Sequence, residues 1–406
     1  MSTGILTTAA LTQDLAKKSF AAYITRLMPN GQAPLFGMTS MLKTETAVQS
    51  EHGFFTKTML FPELTLSAQA AAGDTTLTVT STANILPGMM FSVYSTGENI
   101  LVNSVNSATS VSVQRAVGSV AAATIASAAA LYSIGNAFEE SSLRPNALNI
   151  NPVRITNLTQ IFRNTWAISD TMRQTLMIAG DTNAAESKQD CSTFHAVDIE
   201  KALIFGQKSQ GSRNGQPFRT MDGLIAIIGN LSYYPSSYSS TNVYTAGSTT
   251  TYTQLQNYLE PCLNQTTDPK TANERIVFVG GTAKRVINDI GRLNGTYYLT
   301  DGQTNWGLQF STFKTARGTF RLIEHPVFNS NVAWAKMALV VDLATFNIAY
   351  LGDRKTQHRA FNEQAGVAQD NGIDAVGGTL TTEMTALVKN PPANAVIYNL
   401  TAGAAG

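Results

Sequence analysis

Acid–base or metal chemistry in this chain would have to rest on four histidines, His52, His195, His325 and His358. A catalytic base needs an orienting acid and a nucleophile held on a sharp turn, and no G-x-S-x-G elbow is present to offer one. His195 has Asp198 three residues on, a spacing that places both on one face of a helix. The pair could serve a hydrolase, but a polar pair on a helix surface accounts for it with fewer assumptions. His325 precedes Pro326 and an apolar Val-Phe, which reads as a turn at the end of a strand. Cys191 and Cys262 lie too far apart for a metal-ligand or redox spacing, and both read as small buried hydrophobes in a reducing compartment. No H-x-x-x-H, C-x-x-C or clustered D-x-D suggests a metal.

The run Val277-Phe278-Val279-Gly280-Gly281-Thr282-Ala283-Lys284 has the order strand, glycine turn, lysine, helix, which is how phosphate cradles are built. A P-loop needs spaced glycines and a Ser or Thr after the lysine, whose hydroxyl holds Mg²⁺; here the glycines are adjacent and Arg285 follows. An ordinary strand-to-helix connection is the expectation. The residues therefore point to no catalytic, cofactor-binding or metal-binding site, to no cofactor, and away from an enzyme.

Composition favours self-association. At 406 residues the chain exceeds what one core usually serves, so two or three subdomains are expected. Hydrophobic residues make up 43% and charged ones only 14%, against about 25% charged in typical soluble domains. Such a neutral surface suits a protein that lies against its own copies, because interface cores are depleted in charge. A net charge of +1 leaves no basic stripe for sequence-specific nucleic-acid binding. No run of eighteen apolar residues occurs, and the first residues lack a charged-then-apolar leader, so a soluble, cytoplasmic product is expected.

The elements follow from periodicity. Leu11, Leu15, Phe20, Tyr23, Ile24 and Leu27 recur at helical spacings before Pro29-Asn30-Gly31, predicting an amphipathic helix over 11–28. Its Lys17, Lys18 and Arg26 suit partner docking better than a membrane surface. Residues 32–64 lack periodicity and read as an extended arm and loop. From 65 to 135, short alternating runs separated by turn residues predict a small all-β module that can fold as an insertion; its Ala-rich tail, 120–130, reads as an exposed loop. A helix is predicted from Asn183, with Glu186 as a capping-box partner, to Gly206, with Phe194, Val197 and Leu203 or Ile204 on its apolar side. Residues 207–220 read as a polar loop, and 230–253 as a Ser/Thr/Tyr-rich loop suited to contact with a partner. The last third reads α/β, with strands at 275–279, 308–313, 319–323, 338–342 and 346–350 and a helix at 282–292. The fold class is α+β.

Several stretches carry a resemblance. Ile155-Thr156-Asn157-Leu158-Thr159-Gln160-Ile161-Phe162-Arg163, then Ile168-Ser169-Asp170-Thr171, then Asp198-Ile199-Glu200-Lys201-Ala202-Leu203 resemble the NxTQIF, VSGT and RDIExALL run of the SU10-like major head protein family. Gly97-Glu98, Val111-Ser112-Val113-Gln114-Arg115 and Asn136-Ala137-Phe138-Glu139 are similar to the β domain inserted in such proteins. Leu339-Val340-Val341-Asp342 and Tyr350-Leu351-Gly352-Asp353 resemble its late strands. Ser169-Asp170-Thr171 departs from the usual Ser-Gly-Thr, and 230–253 looks expanded. No residue matches a cross-linking motif; Lys57 is only a position in the loop.

The resemblance implies the HK97-like major capsid fold of tailed phages. It implies an N-terminal arm at 1–44, an extended loop at 45–64 and 136–160, and an inserted β domain at 65–135. A peripheral domain with a spine helix would take 161–221 and 341–406, and an axial domain 222–340. It further implies a structural subunit that self-assembles into pentamers and hexamers of an icosahedral capsid around double-stranded DNA. Its partners would be copies of itself, portal, scaffolding and decoration proteins, and packaged DNA without sequence specificity, but no membrane. The subunit would be made in the host cytoplasm and end in the virion. A tail-tube or decoration subunit and a glycan-binding adhesin built on the β module are the competing readings.

Overall fold

A computed structural model of the chain describes residues 33–41, 44–57, 62–148, 152–175, 183–234, 240–264, 273–293, 300–305, 308–361 and 374–404. The helix predicted at 11–28 lies outside the described residues. The chain forms two compact units, one made of Met1–Phe54 with Ile155–Gly406 and one of Phe55–Arg154.

In the larger unit a seven-stranded sheet runs in the order Val243–Thr245, Ala395–Tyr398, Ala338–Val341, Glu274–Val279, Thr319–Glu324, Leu308–Lys314 and Thr300–Asn305. Both faces of its central strands are covered, so these strands read as unbroken apolar runs. Alternation then divides the residues between two cores. Val277, Val279, Val340 and Ile397 face the helices Tyr252–Leu259 and Gly281–Leu293, and Ala283, Val286, Ile287 and Ile290 of the second helix lie in the same core at i, i+3, i+4 and i+7. Phe278, Leu339, Val341 and Val396 face the other way. Each such Val, Leu, Ile or Phe contributes roughly 1.5–3 kcal/mol by leaving water.

The second sheet of this unit orders Glu45–Ala47, Phe346–Leu351, Ala375–Val388 and Gln160–Ser169, with Gln357–Phe361 paired to the third strand. The helix Asn183–Phe205 packs on it and is as long as its sequence predicts, 23 residues without Gly or Pro. Ile199, Leu203 and Ile204 are buried together with Phe162, Met384 and Ala386 of the sheet.

Several expectations give way. Pro34–Met41, placed in an extended arm, is a helix whose Leu35 and Met38 enter the core; its apolar Pro34, Leu35, Phe36, Met38 and Met41 spread around the helix and are interrupted by Gly37, Thr39 and Ser40, so it has no amphipathic rhythm to read. Residues 207–220 are a hairpin, Ser209–Arg213 with Gln216–Thr220, closed by Asn214-Gly215 with both φ positive, the dipeptide that favours a tight β-turn. Phe194 is 65% exposed, and the buried side of the long helix instead carries His195 and Glu200. The longest strand among the described residues, Ala375–Val388, has no counterpart among the predicted strands, because Gly377, Gly378 and Glu383 interrupt its apolar pattern.

The unit Phe55–Arg154 holds a six-stranded sheet ordered Glu63–Thr65, Ala130–Asn136, Met89–Val93, Asn99–Ser107, Ser110–Gln114 and Thr76–Thr78. Phe91, Val93, Ile100, Val102, Val111 and Val113 alternate into one core. The Ala-rich tail is not wholly exposed: Ile125 is buried and exchanges two backbone bonds with Ala70. The first and last strands pair, with Glu63 opposite Tyr132, so the sheet's entry and exit are neighbours.

Candidate functional site

The side chains singled out for chemistry are used as staples between elements far apart in sequence. His195 is 3% exposed, where a surface pair with Asp198 was expected. The long helix turns it onto the sheet, with Nδ1 at 2.7 Å from Asn164 Oδ1 and Nε2 at 2.8 Å from Thr382 Oγ1. Asn164 also donates from Nδ2 to Asp198 at 3.0 Å. The expected pair is thus joined through a residue of the neighbouring strand. Burial pushes the His195 imidazole below its ordinary pKa, and the Asp198 charge draws it partway back. With both ring nitrogens engaged and the ring enclosed, it has no access to a substrate proton.

One turn further along the same helix, Glu200 is fully buried. Its Oε1 accepts the Leu35 amide at 2.8 Å and lies 2.6 Å from His325 Nε2, and its Oε2 accepts the Phe36 amide at 2.7 Å. A carboxylate at the first turn of Pro34–Met41 satisfies amides that have no partner within that helix. His325 does end a strand, as expected, but it also packs against Phe328, with ring centroids 4.6 Å apart. His358 accepts from Trp166 Nε1 at 3.1 Å, and His52 lies 3.7 Å from Glu45. The four histidines serve four separate places, and among the described residues no three potential ligands gather for a metal.

The glycine turn is an ordinary strand-to-helix connection. A Cβ at Gly280 would meet the Ala335 carbonyl oxygen at 2.4 Å, so protein backbone fills the space a phosphate would need. The Gly281 amide donates to Asn329 Oδ1 at 2.7 Å, and Lys284 faces Glu324 at 3.5 Å. Both cysteines are free and buried; burial raises the Cys191 thiol and pushes Cys262 to about 12, leaving neither as a ready nucleophile.

Parts of the stretch 230–253 are built into the fold, while Leu231, Ser232, Thr245 and 247–249 are exposed; 235–239 are not described. Tyr234 is buried and donates to the Ile228 carbonyl at 2.8 Å, and Asn242 donates to the carbonyls of Pro392 and Asn394. Among the most informative motif residues, Asn157 donates to the Asp222 and Ala386 carbonyls and accepts the Asp222 amide, Thr159 donates to Glu383, and Gln160 accepts the Met221 amide. A polar run read only as extended chain therefore ties three segments together. Its signal was a cluster of amide and hydroxyl side chains beside apolar residues that must be buried, each able to satisfy enclosed backbone groups.

In the smaller unit Glu98 is fully buried and held by Arg115, whose Nε and Nη2 donate to its two oxygens at 2.7 and 2.8 Å. Ala116 and Ala123 donate their amides to the same carboxylate. Burial alone would raise the Glu98 pKa, but Arg115 and the two amides outweigh it and hold it below the usual carboxylate range. Buried and doubly bonded, this pair too is structural.

Comparison with known proteins agrees with a structural role. The family model described as SU10 major capsid protein matches residues 3–401. A major capsid protein of Pseudomonas phage PaMx41 is 37% identical over 408 aligned residues, covering 98% of this chain and 96% of that one. Among solved structures, a chain from Mycobacterium phage Bobi aligns over 97% of this chain and 99% of its own, with 10% identity and a TM-score of 0.49. The capsid of a native GTA particle aligns over 97% and 98%, with 11% identity and a TM-score of 0.48.

Proposed function

This chain belongs to the SU10 major capsid protein family, a structural subunit of a phage capsid and not an enzyme, and from that premise we propose that it closes its shell as pentamers and hexamers around double-stranded DNA. The observation that carries the reading is the family match across almost the whole chain. Heterologous contacts that close into rings generate such capsomers. The low charge supports broad contact between copies and DNA packed without sequence specificity. Portal, scaffolding and decoration proteins would be its other partners, with synthesis in the host cytoplasm. Among the described residues no helix is long and apolar enough to cross a membrane.

On this reading the fold is HK97-like. The arm would be 1–44, the extended loop 45–64 and 136–160, and the inserted β domain 65–135. The peripheral domain would be 161–221 with 341–406, and the axial domain 222–340. The pairing of Ala395–Tyr398 with Ala338–Val341 favours giving 391–404 to the axial domain as well. Phe55 and Leu143, 70% and 92% exposed, support a loop that needs a neighbour's surface, since ordering such chain costs about 1–2 kcal/mol per residue. No residue would act as a catalytic, cofactor or metal centre.

Electron microscopy of the purified protein, alone and with its assembly partners, tests this proposal. Closed shells or five- and six-membered rings are expected. A chain that stays monomeric at high concentration in every condition would overturn it.

A further inference from the structure

Beside the end of the long helix lies an open apolar cavity of about 220 Å³ lined by Phe205, Ile225, Trp334 and Tyr398, with Gln207 at its polar edge. Phe205 stacks on Trp334 with ring centroids 4.3 Å apart, and both rings are half-buried. The cavity has room for a large apolar side chain, and none of its lining residues is charged. Nothing in the shell reading requires it.

Its position relative to the start of the described chain bears on what could fill it. Residues 1–32 join the larger unit at Pro34–Met41, whose first turn is fixed by Glu200 through the Leu35 and Phe36 amides. Glu200 lies five residues before Phe205 in one helix, about 7.5 Å along its axis. An aromatic path covers the same interval: His325, which contacts Glu200, packs on Phe328 at 4.6 Å, and Phe328 meets Phe205 edge-on at 6.1 Å. Six residues from 28 to 33 can span up to about 20 Å. The segment 11–28 carries Phe20, Tyr23, Ile24 and Leu27 at helical spacing, with Lys18 and Arg26 on its other sides and Lys17 at the flank beside Ile24, where its long stem can carry the charge out to water. We propose that the apolar side of residues 11–28 seats in the Phe205–Trp334 cavity of its own chain, leaving the basic residues in water. Tethering favours the chain's own segment over a second copy's, because a short linker gives an effective concentration in the millimolar range.

Disulfide trapping in the full-length chain tests this. Gln207→Cys is combined in turn with Phe20→Cys, Tyr23→Cys, Ile24→Cys and Leu27→Cys, and equal amounts of light and nitrogen-15-labelled protein are mixed before oxidation. The native Cys191 and Cys262 are buried. Mass spectrometry is expected to find same-isotope links for at least one pair, about tenfold above those made when Asp353→Cys replaces Gln207→Cys. Links no more frequent than in that control, or mostly of mixed isotope, would overturn the proposal, the latter assigning the cavity to a second copy. If the cysteine variants do not fold, removal of residues 1–28 gives an independent reading. Hydrogen exchange at 224–226 and 334–336 should rise several-fold while Ala375–Val388 stays protected, and unchanged exchange at the cavity would overturn the proposal.

Discussion

In the unit Phe55–Arg154 every bond that closes Glu98 and Arg115 joins residues at most 44 positions apart, whereas in the larger unit Glu200 reaches Leu35 across 165 positions and His195 reaches Thr382 across 187. Asn157 reaches Ala386 across 229. The smaller unit can thus complete its core from contiguous chain, while the larger one is closed only when its beginning, middle and end meet. Loop-closure entropy has to be overcome before such distant pairs form, so losing one long-range staple should loosen the whole larger unit and leave the smaller one alone.

Replacing Glu200 is the severest way to sharpen that contrast. Glu200→Ala strips the acceptor from two buried amides and from His325, and should lower the stability of the larger unit by about 3–5 kcal/mol. Denaturant unfolding followed by hydrogen exchange reads both units at once. Loss of protection in Met89–Val93 along with the larger unit would break the comparison.

The reciprocal variant is Arg115→Met, which leaves Glu98 enclosed without its cation. A loss of about 3 kcal/mol is expected, confined to the strands Met89–Val93, Asn99–Ser107 and Ser110–Gln114. Equal loosening of Ala375–Val388 would show that the units do not hold themselves separately.

A smaller effect is expected from Gly377→Ala in that long strand. The added Cβ would lie 2.4 Å from the Trp166 carbonyl oxygen and 2.4 Å from the Phe361 ring, and such overpacking costs about 1–3 kcal/mol. Wild-type stability in this variant, read by its denaturation midpoint, would mean that the two strands are free to part there.

Legibility followed the same division. The β module was readable because its turns and alternating residues lie within one stretch, and so was the long helix, which has no internal breaker. Adjacent glycines that let the Trp166 backbone and the His358 and Phe361 rings approach look, in sequence alone, like a loop. Glu200 and His195 were misread or passed over because a polar residue on a helix is normally outward. Only partners from distant parts of the chain make their burial tolerable. The motif around Asn157–Gln160 resembles that of the family, and its physical reason lies in segments 61 and 229 residues away that come together around it.

Acid gives the mildest test. His195 is held below its ordinary value of 6.5, so the unfolded chain takes the proton first. Its contribution is complete above about pH 6.5 and declines as pH falls toward the folded value. Glu98 is also depressed, and its contribution persists above the ordinary carboxylate range and is lost as pH falls through its lowered value. Between about pH 6.5 and 4.5 the larger unit should therefore weaken while the β module does not, and His195→Gln should flatten the larger unit's pH profile. An unchanged profile in that variant would assign the sensitivity elsewhere.

The claim that each unit closes itself is tested most directly by replacing residues 63–136 with a short Gly-Ser linker, which the pairing of Glu63 with Tyr132 makes geometrically simple. The account predicts a soluble chain with one cooperative unfolding transition at an unchanged midpoint, and with Asn183–Phe205 and Ala375–Val388 still protected from exchange. Insoluble protein, or loss of the cooperative transition, would contradict it.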